Sequence, residues 1–271
     1  MNGSIILGIA ALLTLLPAAF WPARRAADSA VEDAGALFWM LVGVATIGPV
    51  ALEIAAGGGM WRSGFSATLW TIVSSTMIVF VIVSLISRSV RRLRILLMPY
   101  VVILAVIALL WSSVPGHPVS GAGMTTWLQV HIGISLVTYA LITLAATAAL
   151  AVWLKARALR KRVASGWTDA LPAVADGERL QRRLLLCAET VLGLGLLSGM
   201  ATQFLVAGSL IALDHKTILS IAAFLVLGIL LLLQHGSGLR GRAAARFVLI
   251  VYLLITLAFP GVTFVTDIIL S

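Results

Sequence analysis

Along this chain, long uninterrupted apolar runs alternate with short stretches that hold almost all of the charge. Eight apolar runs stand out, near 3–21, 34–56, 68–87, 95–112, 125–154, 184–207, 216–235 and 246–269. A helix needs about 20 apolar residues to cross ~30 Å of hydrocarbon, and backbone groups left unpaired in lipid are too costly for open structures. The pattern therefore predicts an all-α, polytopic membrane bundle of about eight transmembrane helices. The run over 125–154 is long enough to tilt or project. Pro49 and Pro260 should kink the second and eighth spans.

Composition sharpens this picture. The 271 residues are 61% hydrophobic and 11% charged, less than half the charged share of an ordinary soluble domain, about 25%. A net charge of +9 would suggest a nucleic-acid partner in a soluble chain. Here the basic residues are confined to connections between apolar runs, which is what membrane topology requires, so no nucleic-acid partner is expected. Arg24 and Arg25, the four arginines from Arg88 to Arg94, the eight basic residues from Lys155 to Arg183, and Arg240, Arg242 and Arg246 fall in alternate connections, 17 of the 19 in all. Only Arg62 and Lys216 lie on the other side. The basic side stays in the cytoplasm, which places both termini in the periplasm of a bacterial inner (plasma) membrane protein. Arginines such as Arg88 to Arg94 should meet anionic headgroups, at ~1 kcal/mol each near the surface.

Residues 1–271 read as a single transmembrane domain. The longest connection, about 155–183, carries Gly166, Pro172 and Gly177 and is too short for its own core; it reads as a cytoplasmic linker. Residues 3–21 follow Met1 and Asn2 without a basic side chain, so they read as a retained first span. Cys187 has no intrachain partner and reads as a small packing residue. There is no GxxxxGK[ST] phosphate loop, HExxH zinc motif or GxSxG elbow, which removes support for ordinary ATPase, zincin and hydrolase readings.

Ionisable groups inside a span are expensive, so each is a functional candidate. His131 lies about one and a half turns inside the fifth span, and His215 opens the seventh, both on the periplasmic side. Two imidazoles at similar depth on separate helices are what an iron porphyrin needs as axial ligands, although each alone also fits a hydrogen-bonded structural role. His117 lies in the loop Val114-Pro115-Gly116-His117-Pro118 and reads as solvated. His235 ends the seventh span, 20 residues beyond His215, about 30 Å along a helix, so the two cannot share one haem. It fits a helix terminus as well as a ligand.

Glu53, Glu189 and Asp267 lie near span ends, with Glu189 expected to reach headgroups or a loop arginine. Asp214, Lys216 and Thr217 could cap the seventh span. Gly193-Leu194-Gly195 and Ser198-Gly199 suit close helix packing. Trp61, Trp70, Trp111 and Trp127 fit either an interfacial aromatic belt or a haem platform.

The stretch Val130-His131-Ile132-Gly133-Ile134-Ser135-Leu136-Val137-Thr138-Tyr139-Ala140 resembles the histidine-bearing helix of cytochrome c assembly proteins of the CcsA/HemX type, most closely the YpjD-like members. Asp214-His215-Lys216-Thr217-Ile218-Leu219-Ser220, the helix through His235, and Gly238-Leu239-Arg240-Gly241-Arg242 resemble that family's last two spans and their connection, so the likeness covers roughly 125–270. It implies a protein that binds haem b and assists cytochrome c or haem-protein biogenesis. The position matching His131 would be an outer haem ligand, and that matching His235 would belong to an inner site. The tryptophan-rich WWD segment of larger members is absent before the seventh span, and no histidine stands near Gly48, where related chains carry one. Haem synthase activity is not implied, and no enzymatic role beyond an accessory to haem attachment is expected. Partners would be the bilayer, haem and other cytochrome biogenesis proteins. The other reading is a haem-free regulator or scaffold of the HemX type, acting through protein partners.

Overall fold

The computed structural model describes residues 2–25, 35–57, 61–114, 117–119, 126–162, 166–208, 214–236, 238–239 and 241–269. Its helices are α1 (Asn2–Arg25), α2 (Ala36–Gly57), α3 (Phe65–Ile86), α4 (Arg88–Arg91), α5 (Arg94–Leu110), α6 (Thr126–Lys161), α7 (Gly166–Asp169), α8 (Val174–Ala207), α9 (His215–Gly236) and α10 (Gly241–Thr256). After α10 the chain continues through a π-helical turn (Leu257–Gly261), a short helix α11 (Val262–Phe264) and a second π-helical turn (Val265–Ile269). Two three-residue strands, β1 (Trp61–Ser63) and β2 (His117–Val119), pair antiparallel, with Ser63 opposite His117.

Among the described residues, six helical segments are long and apolar enough to cross a membrane, and two shorter apolar helices, Ile5–Phe20 and Arg94–Leu110, accompany them. Each expected apolar run falls on one of these eight. Pro260 does not break the last segment but lies within a π-helical turn, where the ladder widens around the missing N–H. Pro49 stays inside a continuous α2.

α6 is the hub of the bundle, packing against α3, α5, α8 and α10. Residues 138–149 of α6 are buried without interruption, so this stretch touches protein on every side. α1, α2, α3 and α5 form one cluster; α6, α8, α9 and α10 close a ring in which each packs on the next, leaving α6 and α9 on a diagonal. Arg91 and Arg94 stack over Trp39 and Phe38, each 5.2 Å from the ring centroid, and tie α4 and the beginning of α5 to the start of α2.

The linker expected over 155–183 narrows to the turn between α6 and α8, because both helices run on past their apolar stretches. Ala, Leu, Lys and Arg dominate 155–161 and are strong helix formers, so the end of the apolar stretch gives no reason to stop. Lys155 Nζ donates to Thr168 O and Asp169 Oδ1, both at 2.9 Å, and clamps α7 back onto α6. Two other expectations change. Cys187 is exposed rather than packed, and Trp70, 5% exposed, belongs to the core rather than to a belt.

Candidate functional site

His131 faces α8. Its Nδ1 lies 2.8 Å from Ser198 Oγ, and Ser198 Oγ in turn donates to Gly195 O at 2.9 Å. A serine hydroxyl has one proton. With that proton committed to Gly195 O, Ser198 must accept from Nδ1–H, which leaves the lone pair of His131 on Nε2. This is the tautomer a metal-ligating imidazole needs, with its other nitrogen held by a hydrogen bond. Gly199 lets the ring lie against the backbone of α8, and Trp127 Nε1 donates to Ser198 O at 3.1 Å, one turn before the histidine.

The helix registers place the other candidates. Arg182 meets His235, Glu189 lies against Gly228, and Gly193 lies against Phe224, so each step along α8 is matched by an equal step back along α9. The same holds between α8 and α6, where Gly177 lies against Val152 and Gly195 against Ile134. Continuing these registers puts His215 level with Thr202, and His131 level with Ser198 and Gly199, about 5 Å apart along α8 at ~1.5 Å per residue. The two histidines thus share a depth to within one turn. They stand on opposite flanks of α8, whose stripes facing α6 and α9 are roughly 140° apart by helical spacing.

The outer parts of these helices are open. No residue of α6 from Thr126 to Val137 is buried, in contrast to the inner stretch, and the buried residues of α9 begin only at Ala223. His215 itself is exposed. Asp214 Oδ1 accepts from Thr217 N at 2.8 Å, the N-cap expected for α9.

His235 has the opposite arrangement to His131. Arg182 Nη2 lies 3.4 Å from its Nδ1. A guanidinium only donates, so Nδ1 accepts and the neutral ring carries its proton on Nε2. Among the described residues, Glu189 meets no arginine. It points at Gly228, two turns inward from the Arg182 contact, with Oε2 buried and without a hydrogen-bond partner. Glu53 accepts from Thr71 Oγ1 at 3.1 Å and Asp267 from Thr266 Oγ1 at 3.2 Å. Trp111 packs edge-on against Phe65 and Phe264, whereas Trp127 is 44% exposed. Residues 209–213, where a WWD segment would end, and Arg240 lie outside the described residues, as do the side chains of Trp61 and His117. Gly48 adjoins Thr14 of α1 so closely that a β-carbon would overlap its side chain, which leaves no room in this packing for a histidine at that position.

Sequence reasoning missed one cluster. Tyr100, Tyr139 and Tyr252 are the chain's three tyrosines, and they converge from α5, α6 and α10. The Tyr100 and Tyr252 hydroxyls lie 2.5 Å apart, with Tyr139 Oη 3.4 Å from each and 3.3 Å from Thr256 Oγ1. The signal was available, since three phenols in apolar segments have few partners but one another. Among the described residues no group of three or more His, Cys, Asp or Glu side chains could hold a metal ion.

A family model described as "Cytochrome C assembly protein" matches residues 60–270. The "Uncharacterized 28.8 kDa protein in nifR3-like 5'region" of Azospirillum brasilense is 42% identical over 271 residues, 100% of both chains. "Inner membrane protein YpjD" of Escherichia coli K12 is 29% identical over 170 residues, 61% of this chain and 62% of YpjD. No solved structure matches the chain.

Proposed function

This chain belongs to the cytochrome c assembly protein family, and from that premise we propose that it is a multi-pass inner-membrane protein that binds haem b and assists cytochrome c or haem-protein biogenesis. Its six long and two shorter apolar helices make eight spans, with both termini and the His131 end in the periplasm. His131 would hold the haem iron; His215, level with it but on the opposite flank of α8, is the second ligand in this proposal.

The observation that carries this reading is the imidazole of His131, whose Nδ1 is engaged by Ser198 while Nε2 keeps its lone pair. Haem, when bound, supplies a redox-active iron that two imidazoles hold low-spin. The chain's own residues do the rest. Ser198 fixes the tautomer, and Gly199 seats the ring. The open outer parts of α6 and α9 leave apolar surface, including Trp127 and Val130, for a planar apolar ligand. Lys216, beside His215 at the positive end of α9, suits an acidic substituent. His235, held by Arg182, stays outside this site.

Absorption spectroscopy of the purified chain tests the reading. The wild type should show a low-spin Soret band and split α and β bands when reduced. His131→Ala or His215→Ala should each abolish the low-spin form, and the double variant should lose haem. Unchanged haem occupancy in the double variant overturns the assignment, and a colourless wild type from haem-replete cells favours the haem-free scaffold.

A further inference from the structure

At the arginine-rich end of the bundle, the starts of α8 and α10 and the end of α9 enclose a cleft of about 230 Å³. This volume falls below the ~300–1,000 Å³ typical of sites for drug-sized ligands, so it suits a headgroup-sized ion.

Its walls carry donors in excess. Arg179 and Arg182 line it one turn apart on α8, and Gln181, 4% exposed, lies between them. Ala175, in the first turn of α8, and Gly241, the first residue of α10, also line it, so two helix beginnings with unpaired N–H groups and positive dipole ends converge there. Arg179 is only loosely engaged elsewhere, 4.0 Å from Asp176 with both side chains exposed. Two acceptors face this array. Glu178 lines the cleft, and so does Gln234, whose buried Oε1 has no hydrogen-bond partner among the described residues.

A buried amide oxygen without a partner costs about 1–3 kcal/mol, and a bare phosphate dianion would leave it unmatched. A phosphate ester bearing an ammonium or hydroxyl group satisfies both sides at once. Leu239 and Ala244 also line the cleft, so apolar surface for the start of an acyl chain adjoins it. We propose that this cleft binds one phosphate ester with a hydrogen-bond-donating substituent, the chemistry of a phosphatidylethanolamine or phosphatidylglycerol headgroup. The phosphate engages Arg179, Arg182 and the two helix beginnings, and the substituent engages Gln234 and Glu178. This inference does not use His131 or His215 and stands apart from the haem reading.

Native mass spectrometry of the full chain, titrated with phosphatidylethanolamine, phosphatidylglycerol or phosphatidylcholine of the same acyl chains, tests it. One ethanolamine or glycerol lipid should be retained about tenfold more tightly than the choline lipid, which cannot donate; that is about one charged hydrogen bond. Arg179→Gln with Arg182→Gln should remove the retained lipid, and Gln234→Leu should erase the preference over choline. The wild-type comparison needs no variant, and melting by circular dichroism separates lost binding from lost folding. Equal retention of all three lipids, or unchanged retention in a folded double-arginine variant, overturns the proposal. Inorganic phosphate that displaces the lipid at similar concentration reassigns the anion to a soluble source and overturns the lipid assignment.

Discussion

Gly199 lies so close to His131 that a β-carbon there would come within 3.1 Å of the imidazole Cε1. The glycine and the neighbouring Ser198 together fix both the position and the tautomer of the ring, and neither property belongs to His131 alone.

Replacing Gly199 with valine should push the ring off Ser198 and weaken haem binding about 10–100-fold, the usual effect of losing a ligand's supporting shell. Ser198→Ala should leave the ring seated but free its tautomer, with a loss near the lower end of that range. Haem titration followed at the Soret band measures both, and wild-type affinity in Ser198→Ala would refute the tautomer argument.

Asp214 caps α9 just beyond its apolar stretch. Partial burial pushes its carboxyl pKa up, but hydrogen bonds from Thr217 and the positive charge of Lys216 outweigh this and leave it below its ordinary value of 3.8. A carboxylate lowered in the folded state stabilises fully above its unfolded pKa, and that stability disappears as the pH falls through the depressed native value. Asp214→Ala should therefore cost about 1 kcal/mol at neutral pH. Melting curves of variant and wild type should converge in acid, and a constant gap across the pH range would mean that the charge has no part in the cap.

The three tyrosines form a network whose members depend on one another. Tyr252→Phe leaves Tyr100 with only the 3.4 Å contact to Tyr139, at a cost of about 1–3 kcal/mol for a buried hydroxyl losing its partner. Tyr100→Phe combined with Tyr252→Phe should cost less than the sum of the single changes, by about 1 kcal/mol. Chemical denaturation in detergent gives this double-mutant cycle, and strict additivity would show that the hydroxyls act independently.

The helices were legible because lipid leaves few alternatives: a run such as 216–235 is apolar throughout, and its backbone must satisfy itself. The cap at Asp214 and the kink-prone Pro260 were likewise local, the first realised as drawn and the second as a π-helical turn. Boundaries near Lys155 and Arg183 were misjudged, since helix propensity outlasts hydropathy there. The partners of Glu189 and Trp70 were also misjudged. A side chain on an all-apolar helix carries no stripe that says whether it faces lipid, core or a neighbouring glycine.

By itself, then, the sequence determined the solvent, the helices and the segregation of arginines, because each follows from local chemistry repeated over about 20 residues. It also supplied His131, His215 and His235 as candidates. Tertiary structure alone decided that α8 stands between α6 and α9, that Ser198 engages His131, that Arg182 engages His235, and that three distant tyrosines meet. Between apolar helices in lipid there is little hydrophobic drive to choose a partner. Close packing at small residues such as Gly193, Gly195 and Gly199 makes that choice, and it depends on both surfaces at once.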